Sequence, residues 1–188
     1  MKTAFSVLFA GILLLVGCKK EEQPAPKAIE AHAPIYSLSG SSTTPAKLGD
    51  AYFTQQDGVV TLELEVAGLA AGGSHAIHLH EGSCENPGMH WNGGSSDSYC
   101  QVPNLDGNWG RPYLGDVGNI EIEEDGTGTL TLRTNLWAIG DGSPLDITGK
   151  MIMLHEQPED FDLECDPNHQ NHPHNNPKIA CGAIGSSH

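Results

Sequence analysis

Ser74-His75-Ala76-Ile77-His78-Leu79-His80 is the stretch whose reading decides the fold. Apolar and polar residues alternate along it, the period of a half-buried β-strand. Side chains on a strand point alternately to its two faces, so Ile77 and Leu79 turn to a core while His78 and His80 share the other face. Two imidazoles side by side on a rigid strand edge suit copper, zinc or iron. An isolated His-x-His pair is more often an unremarkable surface feature, so its weight depends on the rest of the chain. Further along stand His90 and His155.

The same alternation recurs in short segments set off by Gly, Asp, Asn and Pro. These are Pro34–Ser39, Ala46–Thr54, Val59–Val66, His75–His80, Asn119–Glu123, Thr129–Arg133, Met151–His155 and Ile179–Ile184. Gln56-Asp57-Gly58 joins two of them, and Asp125-Gly126-Thr127-Gly128 marks another turn. Eight such segments, tight turns and no helix-period run predict an all-β fold: an eight-stranded antiparallel barrel or sandwich. Two long stretches, Glu81–Val117 and Glu156–Lys178, lack strand character, and loops of that length in a compact domain are usually functional or anchored.

The start of the chain reads differently. Met1-Lys2 is basic, Ala4 to Val16 is an apolar run too short to span a bilayer comfortably, and Leu15-Val16-Gly17-Cys18 closes it. That order is a secretory signal, residues 1–17. Leu-Val-Gly-Cys resembles a bacterial lipobox, which implies that Cys18 carries lipid. Residues 18–32 hold too little apolar material to pack and read as a tether. Its Lys-Lys-Glu-Glu resembles a surface-export signal of bacterial lipoproteins, so the domain of residues 33–188 is expected on the periplasmic or outer face of an outer membrane.

The chain has 24 Asp+Glu against 9 Lys+Arg, a formal net charge of −15. Lys2, Lys19, Lys20 and Lys27 precede the domain, which keeps Lys47, Arg111, Arg133, Lys150 and Lys178. So acidic a domain binds no nucleic acid through its general field. Besides Cys18 there are Cys84, Cys100, Cys165 and Cys181, an even set that an exported domain holds as two disulfides. Spacing alone allows three pairings. Each long stretch holds one of the middle pair, so a Cys100–Cys165 bridge stapling the two loops is expected.

In order, these pieces resemble the copper/zinc superoxide dismutases over roughly residues 33–185. Ser-His-Ala-Ile-His-Leu-His (74–80) is similar to the family's Gly-Phe-His-Val-His. Gly-Ser-Cys (82–84) resembles the bacterial form of the following loop, and Gly-Met-His-Trp-Asn (88–92) the Gly-Pro-His-Phe-Asn segment. Leu-Gly-Asp-Val-Gly-Asn (114–119) resembles Val-Gly-Asp-Leu-Gly-Asn. Gly149-Lys150 through His155-Glu156 resembles Gly-Arg-x-x-x-x-His-Glu, and Ala180-Cys181-Gly182-Ala183-Ile184 resembles Ala-Cys-Gly-Val-Ile. The resemblance implies copper on His78, His80, His90 and His155, His75 as a supporting histidine, and a Cys84–Cys181 disulfide. It also implies superoxide as substrate, with His90 taking a proton on reduction.

The departures are as informative. The family holds zinc with the bridging histidine, two further histidines and an aspartate; here His90 and Asp116 remain, Tyr113 stands where one histidine would, and Asn108-Trp109-Gly110 occupies the region of the other. A closed zinc site wants four ligands, so copper without zinc is expected. The family's arginine three residues before the last cysteine is Lys178, which keeps the charge and loses the planar fork. Glu156, Glu159, Asp160, Asp162, Glu164 and Asp166 crowd the preceding loop and oppose an anion. His169, His172 and His174 form an exposed loop, a weak extra metal site or a copper-capturing arm. Two functions follow: a copper-dependent superoxide dismutase, or a copper-sequestering lipoprotein without turnover.

Overall fold

The computed structural model describes residues 27–38, 44–105, 107–166, 168 and 176–186. Cys18 with the signal and most of the tether, and His169, His172 and His174, lie outside the described residues. The strands are β1 (Ile29–Ser37), β2 (Lys47–Gln56), β3 (Val59–Val66), β4 (Ser74–His80), β5 (Pro103–Asn104), β6 (Gly107–Asn108), β7 (Asp116–Glu121), β8 (Gly128–Thr134), β9 (Met151–His155), β10 (Lys178–Ala183) and β11 (Gly185–Ser186). One short helix, α1 (Phe161–Glu164), sits between β9 and β10. Among the described residues no helix is long and apolar enough to cross a membrane.

Hydrogen bonds run through the order β7-β4-β9-β10-β1-β2-β3-β8, all antiparallel, with β11 on β1. The ends of this path, β7 and β8, lie beside each other and are joined by the turn in which Gly126 takes φ 82°. The result is a nearly closed Greek-key barrel, which leaves little unpaired edge. β1 starts at Ile29, opposite Gln55 of β2, so residues 29–32 of the stretch read as tether are strand. β5, β6 and α1 are short elements inside the two long stretches that the sequence pattern left without structure.

Periodicity works as physics requires in β3, where Val60, Leu62, Leu64 and Val66 are buried and Glu63 and Glu65 face solvent. They pack with Phe53, Ile35, Ile77, Leu79, Trp91 and Trp137 in one continuous core. β4 departs from its sequence reading in two respects. It is not an edge, because β7 and β9 flank it, and it is not half-buried: Ile77 and Leu79 lie in the core, while His78 and His80 are covered on the other face. The long loops supply that cover. Gly115 lets the first loop return beside β4, since a Cβ there would lie 2.6 Å from the Leu79 carbonyl oxygen. Leu79 N–H donates to Gly115, Trp91 to Leu79 and Gly115 to Trp91, locking this crossing.

Two disulfides join the loops to the barrel and to each other. Cys84 in the loop after β4 is bonded to Cys181 in β10, and Cys100 of the first long loop is bonded to Cys165 after α1.

Candidate metal centre

Three of the four histidines stand on strands and one on a loop. β4 carries His78 and His80, β9 ends on His155 opposite Lys178, and the first loop brings His90 against His80 as an isolated bridge. One ring nitrogen from each lies within 4.8 Å of the others. His78, His80 and His155 are buried, and His90 is partly open. Such a cluster of nitrogens can hold a metal ion.

Hydrogen bonds fix which nitrogen each ring offers. His155 Nδ1–H donates to the Asn176 carbonyl at 3.1 Å, and His80 Nδ1–H donates more weakly to the Gly88 carbonyl at 3.4 Å. Both Nε2 atoms therefore carry lone pairs, and they face each other 3.3 Å apart. Two lone pairs at that distance repel unless a proton or cation lies between them. His90 Nδ1–H donates to Asp116 Oδ1 at 3.0 Å, which leaves its Nε2 as the free donor. His78 is fully buried, yet neither ring nitrogen has a hydrogen-bond partner among the described residues. Its Nε2 lies 2.9 Å from Glu159 Oε2, an ion-pair distance without hydrogen-bond direction. An orphaned buried imidazole among three others fits a bound cation, and four nitrogen donors fit copper.

Burial keeps His78, His80 and His155 in the form a metal needs. Burial pushes His78 well below the ordinary imidazole pKa, and the neighbouring His90 adds to it. Burial, then His90 and His78, lowers His80 to about 2. Burial also lowers His155 to about 4, against the bond to Asn176. Neutral imidazoles are competent ligands without first releasing a proton. The unfolded chain binds protons at these histidines near pH 6.5 and the folded chain does not, so acid favours unfolding. The metal-free protein should lose up to ~1.4 kcal/mol per pH unit for each such histidine as pH falls below about 6.5, down to about 4 for His155. Thermal unfolding between pH 7.5 and 4.5 measures this, and a flat midpoint would contradict it.

The surroundings hold these rings still. His75 Nδ1–H donates to the carbonyls of His155 at 2.9 Å and Glu156 at 3.1 Å, fixing the end of β9. Asp116, fully buried, takes His90 on Oδ1 and the Tyr113 N–H on Oδ2 at 2.8 Å. Glu159 is the residue that sequence reasoning counted only among the acidic run. Its backbone is clamped by Asn119, whose Nδ2 donates to the Glu159 carbonyl at 2.8 Å and whose Oδ1 accepts the Glu159 N–H at 3.0 Å. That places its carboxylate on His78.

A closed zinc site does not fit these residues. Both oxygens of Asp116 are engaged, by His90 and by the Tyr113 backbone. Trp109 is buried, its Nε1–H on the Tyr113 carbonyl at 2.9 Å and its ring 6.3 Å from that of Trp137. Trp109 thus joins the apolar core rather than facing a metal. Among the described residues the four histidines are the one group of three or more donors close enough together to hold a metal ion.

A cleft leads to the cluster. Its walls include His80, His90 and His155 with Met89, Tyr113, Lys178, Glu159 and Glu164. Lys178 is the cation among them. Burial, the nearby Glu159 and the Asp116 charge push Glu164 up to about 8, so at neutral pH it is largely uncharged.

Comparisons with known proteins agree with this geometry. The profile of the copper/zinc superoxide dismutase (SODC) family matches residues 47–184. The extracellular superoxide dismutase [Cu-Zn] of Caenorhabditis elegans is 24% identical over 186 residues, 93% of this chain and 77% of that protein. The superoxide dismutase [Cu-Zn] of Mycolicibacterium paratuberculosis is 29% identical over 126 residues, 62% of this chain and 54% of its own length. Among solved structures, a SOD-like protein of Bacillus subtilis superposes with a TM-score of 0.58 at 22% identity, covering 81% of this chain and 96% of its own, and shows the same fold. With the barrel, the crossing at Gly115 and the histidine cluster in place, the chain belongs to the copper/zinc superoxide dismutase family.

Proposed function

We propose that the protein is a copper-dependent superoxide dismutase of an exported compartment, with His78, His80, His90 and His155 as the metal ligands and no zinc. The observation that carries the reading is the pair of facing Nε2 lone pairs on His80 and His155 beside the orphaned ring of His78. Copper bound there supplies the one-electron couple that converts two superoxide ions and two protons into O2 and H2O2. The chain's own residues do the rest. Lys178 in the cleft wall attracts and orients the anion. Asp116 fixes the His90 tautomer, holding its proton at Nδ1. Glu159 orients His78.

Lipidation at Cys18 and the tether that follows would moor the domain to a bacterial envelope membrane, and the two disulfides suit such an oxidising compartment. The acidic balance speaks against nucleic acid as a partner. Superoxide decay followed by stopped flow on the copper-loaded protein tests the activity. A rate equal to the buffer's would reject catalysis and leave the second reading, a copper-sequestering lipoprotein. That reading is favoured by one observation, the Glu159 side chain sharing the cleft with Lys178.

A further inference from the structure

Arg111 stands where the two long loops meet, and nothing in the metal-site chemistry above uses it. Its guanidinium carbon lies 5.0 Å from the ring centroid of Trp109 in the first loop and 5.4 Å from that of Phe161, the first residue of α1. Nη1–H donates to the Trp109 carbonyl at 3.1 Å, and Nε is buried without a hydrogen-bond partner among the described residues. A guanidinium between two aromatic faces is a cation–π clamp, and Arg suits it because its charge is planar.

What the clamp holds matters more than the clamp. Trp109 is anchored to the core through Trp137 and Tyr113. Phe161 is not buried in that core; beyond Arg111 its ring meets His78, edge to face at 6.1 Å. Asp160 caps α1 by accepting the Leu163 N–H, and Glu159, one residue earlier, reaches His78 Nε2. Segment 159–161 therefore touches His78 twice, and Arg111 presses it there. The Cys100–Cys165 disulfide ties the same two loops just beyond.

We propose that Arg111 is a positioning residue for His78: a side-chain cation that holds the second loop to the first beside the metal centre, where the described residues offer no second group of metal donors. Its effect on a copper ligand rests on the copper reading above; its effect on the loop does not.

Hydrogen exchange and copper EPR on the disulfide-intact protein test the two parts. In R111M, backbone amides of residues 159–165 should exchange roughly tenfold faster in the metal-free protein, while those of β3 stay unchanged. R111K, which keeps the charge but cannot lie flat between two rings, should fall between R111M and wild type. The copper EPR spectrum of R111M should shift in the same direction as that of E159Q. Unchanged exchange at 159–165 in R111M would overturn the loop clamp. A spectrum altered in E159Q and identical to wild type in R111M would overturn the positioning of His78. Should β3 of R111M lose protection, R111K alone decides, by the same comparison. If the wild type takes up no copper, the copper reading fails on its own and the exchange result still judges the clamp.

Discussion

Replacing Cys84 and Cys181 by serine should lower the unfolding free energy by about 4–5 kcal/mol, because the bridge closes a loop of 97 residues in the unfolded chain. Against the 5–15 kcal/mol that domains generally have, this is a large fraction of the whole. For a domain of this size it corresponds to a fall in melting temperature of roughly 10–20 °C. A second consequence is local. Cys84 lies six residues before His90, on the loop that delivers that ring to the cluster, so copper should be held less tightly as well. Calorimetry of the double variant beside the wild type gives the first quantity and a chelator competition the second. A melting temperature within a few degrees of wild type would mean that the barrel and the Cys100–Cys165 bridge alone fix the loops.

Lys178→Glu should cut the second-order rate of superoxide consumption by roughly 10- to 100-fold while leaving copper affinity nearly unchanged. Lys178 is the cation in a cleft whose other ionisable walls include Glu159 and Glu164. Reversing its sign leaves an incoming anion with repulsion alone. The wild-type rate should also fall as salt is added, since screening acts on an exposed attractive charge. Stopped-flow decay at several ionic strengths reads both effects. If the variant were as fast as the wild type, Lys178 would have no part in guiding substrate, and the sequestration reading would gain ground.

How much of this was legible beforehand depended on whether a feature was local. The barrel was readable because each strand carries its own alternation: in β3 the burial pattern follows the sequence residue by residue. That the four histidines come together was readable because motifs around them occur in family order. What failed on β4 was the environment. Alternation says which residues share a face, but not whether loops will roof that face, and here they bury His78 and His80 completely. Glu159 and Arg111 were illegible for a related reason. One sits in an acidic run that composition treats as solvated, and the other is a lone arginine in a loop. Each acquires its role from a contact across the chain, Glu159 with His78 and Arg111 with Phe161. The short helix α1 escaped notice because four residues make barely one turn, too little for a 3.6-residue period to show.

The division of the four histidines between strands and loop also sets how a bound ion would leave. His78, His80 and His155 belong to neighbouring strands in the middle of the sheet, and loosening them means opening the barrel itself. His90 alone rides on a loop, and it is also the ring most open to water. An ion seated there would dissociate by the swing of one loop rather than by unfolding. Its residence time would then be governed by the tethers of that loop, Cys84 on one side and Asp116 on the other, and could differ widely between proteins whose barrels are equally stable.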